Sequence, residues 1–451
     1  MPKKPNFLFL LPDQHRPDWL GVNPDLPLST PNMDRVIHKG VRFTNAYTPS
    51  PLCSPARACL ATGREYHRCG VIDNGQNTPL SLPTYYQKLR DCGYEVAGVG
   101  KFDLHKPDHD WGLDGSKMLP EYGFTCGIDN EGKGDAISAY KQNDNSPRGP
   151  YMQFLVEKGL VDRHLAMYDK WMKSNIGWLN FPDVTTLPDE AYCDNWVAQN
   201  AMDCLENFPA DKPWHLVVNF VGPHGPFDVT QSMRDKWKNI DVPDPVDSEE
   251  PDQETIRERR QNYGAMIENI DHHIGRMIDL IDKRGELDNT IIIYSSDHGE
   301  MLGDHDRWAK NVWYTPSAGI PMFLAGPGIR EGVELDTPVA LHDLAATMLD
   351  YADAEALPDS DAKSLRPVLE GESDSHRDFV LSSLKGRKKW DMIFDGRYKL
   401  VIVENEENKE ILYDLQEDPS EMENVASANP ELVNELKAKL RDARQNAWSP
   451  A

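Results

Sequence analysis

The chain has 451 residues, of which 39% are hydrophobic and 27% are charged, as in soluble globular proteins. Its formal net charge of −26 excludes a general nucleic-acid binder and argues against docking on an anionic membrane surface, because both partners are themselves negative. The length predicts two or three domains at about 150 residues each, or one large α/β domain with a smaller one.

The N-terminus carries two lysines and then an apolar run at 7–11, which Asp13, His15 and Arg16 follow at once. A secretory signal needs about 7–15 apolar residues, and a membrane span needs about 20. We therefore predict a buried strand here and a cytoplasmic protein with no membrane segment. Without an export signal, the seven scattered cysteines are expected to be thiols.

Short apolar runs alternate with helical periodicities along most of the chain. Strands are predicted at 6–11, 95–99, 215–220, 290–295 and 321–325, and helices at 32–39, 83–92, 189–207 and 255–284. This alternation predicts a mostly parallel sheet with helices on both faces. The pattern weakens from 111 to 188, where we expect an irregular insertion, and 241–252 is predicted to be an acidic surface loop.

The pattern changes again near residue 370. A hairpin is predicted at 391–403 with its turn at Asp395-Gly396, followed by a strand at 411–415 and a helix at 430–444. We therefore predict an α/β protein with two parts. Residues 1–370 would form a domain with a large mixed, mostly parallel sheet between helices, and 371–451 a smaller α+β subdomain.

Polar side chains follow four of the predicted strands at their carboxyl ends. They are Asp13 and Gln14, then Lys101 and His105, then His224, and finally Asp297 and His298. Ligands of open α/β sheets bind at this edge, so we expect these groups to lie together.

Four of these groups form a set with mostly oxygen ligands: Asp13, Gln14, Asp297 and His298. This set favours Ca²⁺, with Mg²⁺ or Mn²⁺ as alternatives, over Zn²⁺, which takes more nitrogen and sulfur ligands. The competing interpretation is that the aspartates only cap turns or helices, as single aspartates after strands commonly do.

Cys53 begins a segment in which Pro55 suits a first helical turn. The helix dipole and Arg57 would favour negative charge on Cys53 at this position. The alternative is a buried structural cysteine, which is the usual state of a free thiol.

Several motifs resemble those of the type I, formylglycine-dependent sulfatases in the alkaline phosphatase superfamily. They are CSPAR at 53–57 with ATGR at 61–64, GY at 93–94 with GK at 100–101, SDHG at 296–299 with GDH at 303–305 and Lys310, and LYDL at 412–415 with DP at 418–419, Glu421 and Asn424. The matches follow the family's order over nearly the whole chain.

The resemblance implies that a separate formylglycine-generating enzyme reads C-x-P-x-R and converts Cys53 to formylglycine. One hydroxyl of the hydrated aldehyde would then attack sulfur beside a divalent metal, and the alcohol would leave. The other hydroxyl would collapse to the aldehyde and expel sulfate, which is covalent catalysis with metal activation.

The resemblance also implies a role for each matching side chain. Asp13, Gln14, Asp297 and His298 would bind the metal with the residue at 53, Arg57 would hold the formylglycine, Lys101 and Lys310 would bind sulfate oxygens, His105 would deprotonate the hemiacetal, His224 would protonate the leaving oxygen, and Asn74 would contact substrate. The expected substrate is a small-molecule or oligosaccharide sulfate ester.

Departures from the common pattern leave two alternatives. Gln14 and His298 stand where many sulfatases have Asp and Asn, as in choline sulfatases, iduronate-type sulfatases and phosphonate monoester hydrolases, and the usual Lys-x-His is two residues longer between Lys101 and His105. A phosphonate monoester or phosphodiester hydrolase is therefore the second hypothesis, although those enzymes lack a lysine at position 101. The third hypothesis is a catalytically silent scaffold protein with an unmodified Cys53 and no metal.

Overall fold

The computed structural model describes residues 4–174, 177–386, 389–404 and 409–445. Its strands are β1 (Asn6–Leu10), β2 (Gly40–Phe43), β3 (Ala46–Tyr47), β4 (Glu95–Gly100), β5 (Cys126–Asp129), β6 (Pro182–Val184), β7 (Trp214–Asn219), β8 (Phe227–Val229), β9 (Thr290–Ser295), β10 (Met322–Ala325), β11 (Val333–Leu335), β12 (Val339–Ala340), β13 (Val380–Leu384), β14 (Trp390–Phe394), β15 (Tyr398–Val403) and β16 (Lys409–Asp414).

The helices are α1 (Pro31–His38), α2 (Cys53–Thr62), α3 (Tyr85–Asp91), α4 (Leu119–Tyr122), α5 (Lys133–Gln142), α6 (Pro150–Glu157), α7 (Val161–Met172), α8 (Cys193–Asn207), α9 (Gln231–Trp237), α10 (Gln253–Lys283), α11 (Thr315–Ala318), α12 (Asp343–Tyr351), α13 (Arg366–Glu370) and α14 (Pro430–Gln445). Among the described residues, none of these helices has both the length and the apolar character that a membrane crossing requires.

An eight-stranded sheet organises the larger part of the molecule, in the order β11-β2-β10-β9-β1-β7-β4-β5. The central strand β1 pairs in parallel with both β7 and β9, and β10 is antiparallel to both of its neighbours. The carboxyl ends of β1, β4, β7 and β9 therefore meet at one edge, which confirms the mixed, mostly parallel sheet.

The alternating side chains of β1 enter two different hydrophobic cores. Leu8 and Leu10 pack in the core that also contains the apolar faces of α8 and α10. Phe7 and Phe9 pack on the opposite face, in the core that α2, α3 and α12 cover. Because both faces of the sheet are covered, the strands are apolar throughout, as in parallel α/β sheets.

The second sheet is an antiparallel meander of β13 to β16. One face packs against Tyr47, Ala318 and Ala340 of the larger part, and α14 covers the other face with Val433, Leu436 and Leu440. The predicted hairpin, strand and C-terminal helix are confirmed, and Gly396 has the positive φ of 100° that the tight turn requires. The domain boundary near residue 370 stays a prediction.

The expectation of an irregular insertion from 111 to 188 is wrong in its main feature. This stretch contains the edge strand β5, the short strand β6 and four helices, α4, α5, α6 and α7. Frequent Gly, Pro and Asn residues between short elements hid the helical period from the sequence reading. The same stretch contains Trp171, which is buried in the fold, as is Trp196 of α8.

Candidate functional site

Helix α2 brings Cys53 to the edge where the parallel strands end. Cys53 is the first residue of the helix, and its side chain is only 1% exposed. Its Sγ lies 3.3 Å from the Nε2 of His298, 3.3 Å from the Nζ of Lys310 and 3.9 Å from the Oδ1 of Asp13. Three segments that are far apart in sequence therefore converge on this thiol.

The thiol lies in a positive environment. Burial and Asp13 oppose ionisation, yet Lys101, Lys310 and His298 leave the pKa of Cys53 below its ordinary value. A lowered thiol pKa is typical of a functional cysteine rather than of one that only fills a core.

Asp13, Cys53, Asp297 and His298 place one ligand atom each within 4.8 Å of one another. Both carboxylates and the imidazole are completely buried. His298 Nδ1 lies 3.0 Å from the carbonyl oxygen of Gly299, to which it donates, so its Nε2 lone pair faces the cluster. Two buried carboxylates, one imidazole nitrogen and a nearby amide oxygen suit a hard divalent cation, so the donor set fits the expected metal.

Gln14 joins this cluster in a fixed orientation. Its Nε2 donates to Glu300, and its Oε1 accepts a hydrogen bond of 2.6 Å from Lys310 Nζ. Its backbone has a positive φ of 70° and is held by a hydrogen bond of 3.0 Å from its N–H to Asp297 Oδ1. The amide oxygen, rather than the amide nitrogen, therefore points to the side of Lys310 and Cys53.

Arg57 lies one turn after Cys53 and links α2 to two strand ends. Its Nε donates to Asp297 Oδ2 at 3.0 Å, and its Nη1 donates to the carbonyl oxygen of Lys101 at 2.6 Å and to Asn219 Oδ1 at 3.0 Å. Its Nη2 is buried without a hydrogen-bond partner among the described residues and lies 3.6 Å from Asp13 Oδ2. Arg57 therefore fixes the helix that carries Cys53 and balances the charge of both aspartates.

Lys101, from the loop after β4, and Lys310, from the segment after β9, both lie near the thiol of Cys53. Lys101 Nζ contacts Asp13 and lies 3.0 Å from Asp103 Oδ2. Burial opposes its charge, but Asp103 and Asp13 raise the pKa of Lys101 well above its ordinary value, so this lysine stays charged. Two fixed ammonium groups beside the thiol suit the stabilisation of an oxyanion.

His224 follows β7 and lines the same cavity as Cys53. Its Nδ1 donates to the carbonyl oxygen of Gly225 at 2.5 Å, and its Nε2 has no hydrogen-bond partner among the described residues. Burial and the charge of Lys310 lower the pKa of His224 well below its ordinary value, so the ring is neutral before an anion enters. A bound anion would favour the charged ring, which is the form that can donate a proton from Nε2.

Asn74 also lines the cavity, and its Oδ1 accepts a hydrogen bond of 3.0 Å from the backbone N–H of Ser54. This contact satisfies one of the free N–H groups at the start of α2. Asn74 therefore supports the helix that presents Cys53.

His105 is a predicted site residue whose polar contacts, Asp129 and Asp108, lie outside the cluster around Cys53. Its Nε2 lies 2.9 Å from Asp129 Oδ2, and the ring is 1% exposed beneath the loop that follows β4. Burial opposes its charge, but the hydrogen bond and charge of Asp129 raise the pKa of His105. The two extra residues after Lys101 place Asp103 beside that lysine and turn His105 toward β5. The expected role of His105 on the hemiacetal gains no support from this geometry.

Sequence reasoning missed the side chains that hold the predicted ligands in place. They are Glu300 on Gln14, Asn219 on Arg57, Asp103 on Lys101 and Lys106, and Asp129 on His105. Glu300 directly follows the matched SDHG segment, and Asn219 is the next-to-last residue of the strand predicted at 215–220, but only the fold shows what each contacts.

The arrangement of these side chains by itself indicates a class of enzyme. The site is typical of an α/β hydrolase that cleaves esters of a tetrahedral oxyanion. It combines an activated side chain at the start of a helix, a cluster of cation ligands, two fixed lysines and a histidine that can supply a proton.

The comparisons with known proteins agree with this class. The Sulfatase family matches residues 5–354, and the N-sulphoglucosamine sulphohydrolase C-terminal family matches residues 303–446. An arylsulfatase of Clostridium perfringens is 28% identical, over 94% of this chain and 91% of its own length.

Two solved structures show the same fold. A protein in complex with its substrate D-glucosamine-2-N,6-O-disulfate has a TM-score of 0.76 at 20% identity and covers 98% of each chain. A phosphonate monoester hydrolase from Silicibacter pomeroyi has a TM-score of 0.81 at 22% identity, over 98% of this chain and 96% of that one.

Because the family match spans most of the chain, this protein belongs to the sulfatase family. It is a sulfuric ester hydrolase with the fold of the alkaline phosphatase superfamily, as the motifs indicated. The family generally uses a divalent metal and a formylglycine.

Proposed function

We propose that the protein hydrolyses a carbohydrate or other small-molecule sulfate monoester with a formylglycine made from Cys53. The observation that carries this proposal is the environment of Cys53 Sγ, which lies 3.3 Å from both Lys310 and His298 at the start of α2. Cys53 is buried, so a formylglycine-generating enzyme would have to act on the chain before it folds.

Each residue around position 53 has its own role in the proposed reaction. Lys101 and Lys310 bind sulfate oxygens and stabilise the charge that builds up on them. Arg57 holds α2 in register with the strand ends through Asp297 and Asn219. His224 donates a proton from Nε2 to the leaving oxygen once the bound sulfate favours its charged form.

Asp13, Gln14, Asp297 and His298 would hold a divalent cation, with Ca²⁺ as the proposed ion and Mg²⁺ or Mn²⁺ as alternatives. When bound, the cation polarises the sulfate and the attacking hydroxyl. The two buried carboxylates give the site its negative charge, and Glu300 keeps the oxygen of Gln14 directed to it.

The first test is peptide mass spectrometry across Cys53 on protein produced together with a formylglycine-generating enzyme. The proposal expects an aldehyde at position 53 and release of sulfate only from the converted fraction. An unmodified thiol in a protein that still hydrolyses sulfate esters would overturn the formylglycine mechanism. An unmodified, inactive protein that takes up no metal would favour the silent scaffold.

A phosphonate monoester or phosphodiester hydrolase remains the second candidate, because the likeness to a phosphonate monoester hydrolase covers nearly the whole chain. Rates on 4-nitrophenyl sulfate and on 4-nitrophenyl phenylphosphonate separate the two. We expect the sulfate ester to be the better substrate, and a clear preference for the phosphonate would reverse the order.

We also propose a cytoplasmic location, which would require the substrate to be taken up before it loses its sulfate. The proposal rests on the apolar run at 7–11, which belongs to the buried central strand β1 and the residue that follows it. Fractionation of the source cells with an antibody to this chain tests it, and recovery in an extracytoplasmic fraction would overturn it.

A further inference from the structure

The cavity beside Cys53 has a volume of about 260 Å³. Its lining includes side chains that the reaction as described does not use. The polar members of this second set are Lys106, Lys133, Asp135 and Asn311, and the apolar members are Leu52, Leu179 and Val221. These residues are available to recognise the alcohol part of the ester.

Lys106 and Asp135 end a row of alternating charges that starts at the metal cluster. Lys101 contacts Asp13 at one end and lies 3.0 Å from Asp103. Asp103 lies 3.3 Å from Lys106 Nζ, which lies 2.9 Å from Asp135 Oδ2. The row places Lys106 and Asp135 beside the sulfate-binding lysine in a fixed geometry.

The pair offers a hydrogen-bond donor and an acceptor next to each other. Lys106 has three N–H groups, of which Asp103 and Asp135 engage two, so one remains for a ligand. Its side chain is 15% exposed, whereas that of Asp135 is 25% exposed. Within the described part of the chain, Asp135 Oδ1 accepts no hydrogen bond from protein. A hydroxyl both donates and accepts, so two neighbouring hydroxyls match this pair.

Lys133 lines the same cavity but is already occupied. Its Nζ donates to Asp228 Oδ1 at 2.6 Å and lies 4.7 Å from the centre of the Tyr192 ring. It therefore positions the start of α5, where Asp135 lies, and has less capacity left for a ligand.

The rest of the lining argues against other alcohol groups. Among the described residues it contains no Phe, Tyr or Trp side chain, which a quaternary ammonium group or an aryl ring would favour. Ligand cavities typically enclose about 300 Å³ or more, so this one has room for a single small ring. Aliphatic contacts from Leu179 and Val221 suit the C–H faces of a sugar.

We propose that Lys106 and Asp135 determine specificity by binding two neighbouring hydroxyls of one sugar ring whose sulfate lies against Lys101 and Lys310. This inference rests on the proposed sulfate ester hydrolysis and adds the class of alcohol to it. A polyhydroxylated ring is selected over aryl and quaternary ammonium sulfates.

The test combines a protein variant with a substrate variant. The matured protein is assayed on glucose and galactose monosulfates, on analogues that lack the hydroxyl next to the sulfated carbon, and on 4-nitrophenyl sulfate. In the wild type, loss of that hydroxyl should lower kcat/KM roughly 10- to 100-fold, because a charged partner is left unpaired. In Asp135→Asn the same loss should cost no more than about twofold.

Asp169→Asn is the matched control, because Asp169 pairs with Lys141 at the other end of α5, on the surface. It should keep the wild-type response to the missing hydroxyl. Lys106→Gln provides a second variant if Asp135→Asn does not fold, as judged by its Tm.

Each outcome decides one claim. If the missing hydroxyl costs Asp135→Asn and Lys106→Gln as much as the wild type, the pair does not bind it and the inference is wrong. If the wild type cleaves 4-nitrophenyl sulfate, which has a reactive leaving group, but no sugar sulfate, the inference fails and the proposed function stands. If matured protein releases sulfate from no ester, the proposed function itself fails.

Discussion

Gln14 shows how a single amide becomes a directed ligand. Its left-handed backbone, with φ at 70°, costs about 1–3 kcal/mol for a residue other than glycine. Contacts on both sides offset that cost: Tyr263 donates to its carbonyl oxygen at 2.7 Å, and Asp297 accepts from its N–H at 3.0 Å. Glu300 then decides which end of the amide faces the cluster.

Glu300→Gln should weaken metal binding although Glu300 touches no metal ligand other than Gln14. A glutamine at this position can donate to the oxygen of Gln14, so it permits the amide to turn its nitrogen toward Lys310. Loss of such a supporting contact typically costs about 10- to 100-fold in metal affinity. Calorimetric titration of metal-free protein with Ca²⁺ measures this, with Glu250→Gln in a surface loop as the control. An unchanged affinity for Ca²⁺ would show that metal binding does not require Glu300 to orient Gln14.

His224→Ala should lower activity most on substrates whose leaving oxygen must be protonated. An alkyl or sugar alkoxide is a poor leaving group, so its kcat/KM should fall roughly 10²- to 10⁴-fold. The loss on 4-nitrophenyl sulfate should be smaller, because 4-nitrophenolate leaves without a proton. The exposed His272→Ala is the control. Equal losses on both substrates would assign His224 a binding role instead of an acid role.

At the scale of elements, the start of α12 joins the segment that follows α2 to the start of the second sheet. Asp343 begins α12 and accepts hydrogen bonds from the backbone N–H of Ala340 at 3.0 Å and from Arg377 Nε at 2.8 Å. Glu65, which follows α2, lies nearby, with its Oε1 3.7 Å from His342 Nε2. Four ionisable groups from three segments therefore share one largely buried junction.

Stability should depend on the protonation of Glu65. Burial raises its pKa from 4.5 to about 8. Between these pH values the folded state keeps a proton that the unfolded state has released, so this group makes the protein less stable as pH rises through that window. Burial lowers the pKa of His342 to about 4, so this neighbour stays neutral in the same window and supplies no compensating charge.

Glu65→Gln should therefore raise Tm at pH 9 by about 2 °C or more relative to wild type and leave Tm at pH 4 nearly unchanged. Differential scanning fluorimetry across this range measures the difference. Glu331→Gln, which breaks an exposed pair with Lys39, is the matched control and should shift neither value. Parallel Tm curves for wild type and Glu65→Gln would contradict the assignment.

At the scale of the whole molecule, the two parts are held together by a shared core and by hydrogen bonds between Thr315 and a buried ion pair of the smaller part. Tyr47, Ala318 and Ala340 of the larger part pack in the same cluster as the inner face of the meander. Lys399 Nζ in β15 lies 2.8 Å from Glu421 Oε1, and Glu421 accepts a hydrogen bond of 2.6 Å from the backbone N–H of Thr315. Separation of the two parts would therefore expose an apolar face and a buried charge.

We expect a single calorimetric unfolding transition for the full chain, because neither part can keep this interface on its own. Addition of EDTA should move that one transition to lower temperature, since the bound cation stabilises only the folded state. Re-addition of Ca²⁺ is the control and should restore it. Two separate transitions would show that residues 1–370 and 371–451 fold independently.

Much of this protein follows from the sequence by itself. The apolar runs before Asp13, Lys101, His224 and Asp297 predict the strands, because fully buried parallel strands must be apolar along their length. The topology of parallel sheets then places all four groups at one edge. The motifs around Cys53 and Asp297 identify the family, because they determine the reacting and ligating atoms directly.

Only the tertiary structure decided which partners hold those groups. His105 follows Lys101 closely in sequence, yet it lies against Asp129, because the two extra residues between them change the direction in which the loop presents its side chain. Glu300 orients Gln14, and Lys106 contacts Asp135, although the two members of each pair lie in separate segments of the chain. No periodic pattern links such positions, so the sequence alone does not reveal these contacts. Ligand atoms are specified by residue type, whereas their orientation depends on contacts that form when distant segments pack together.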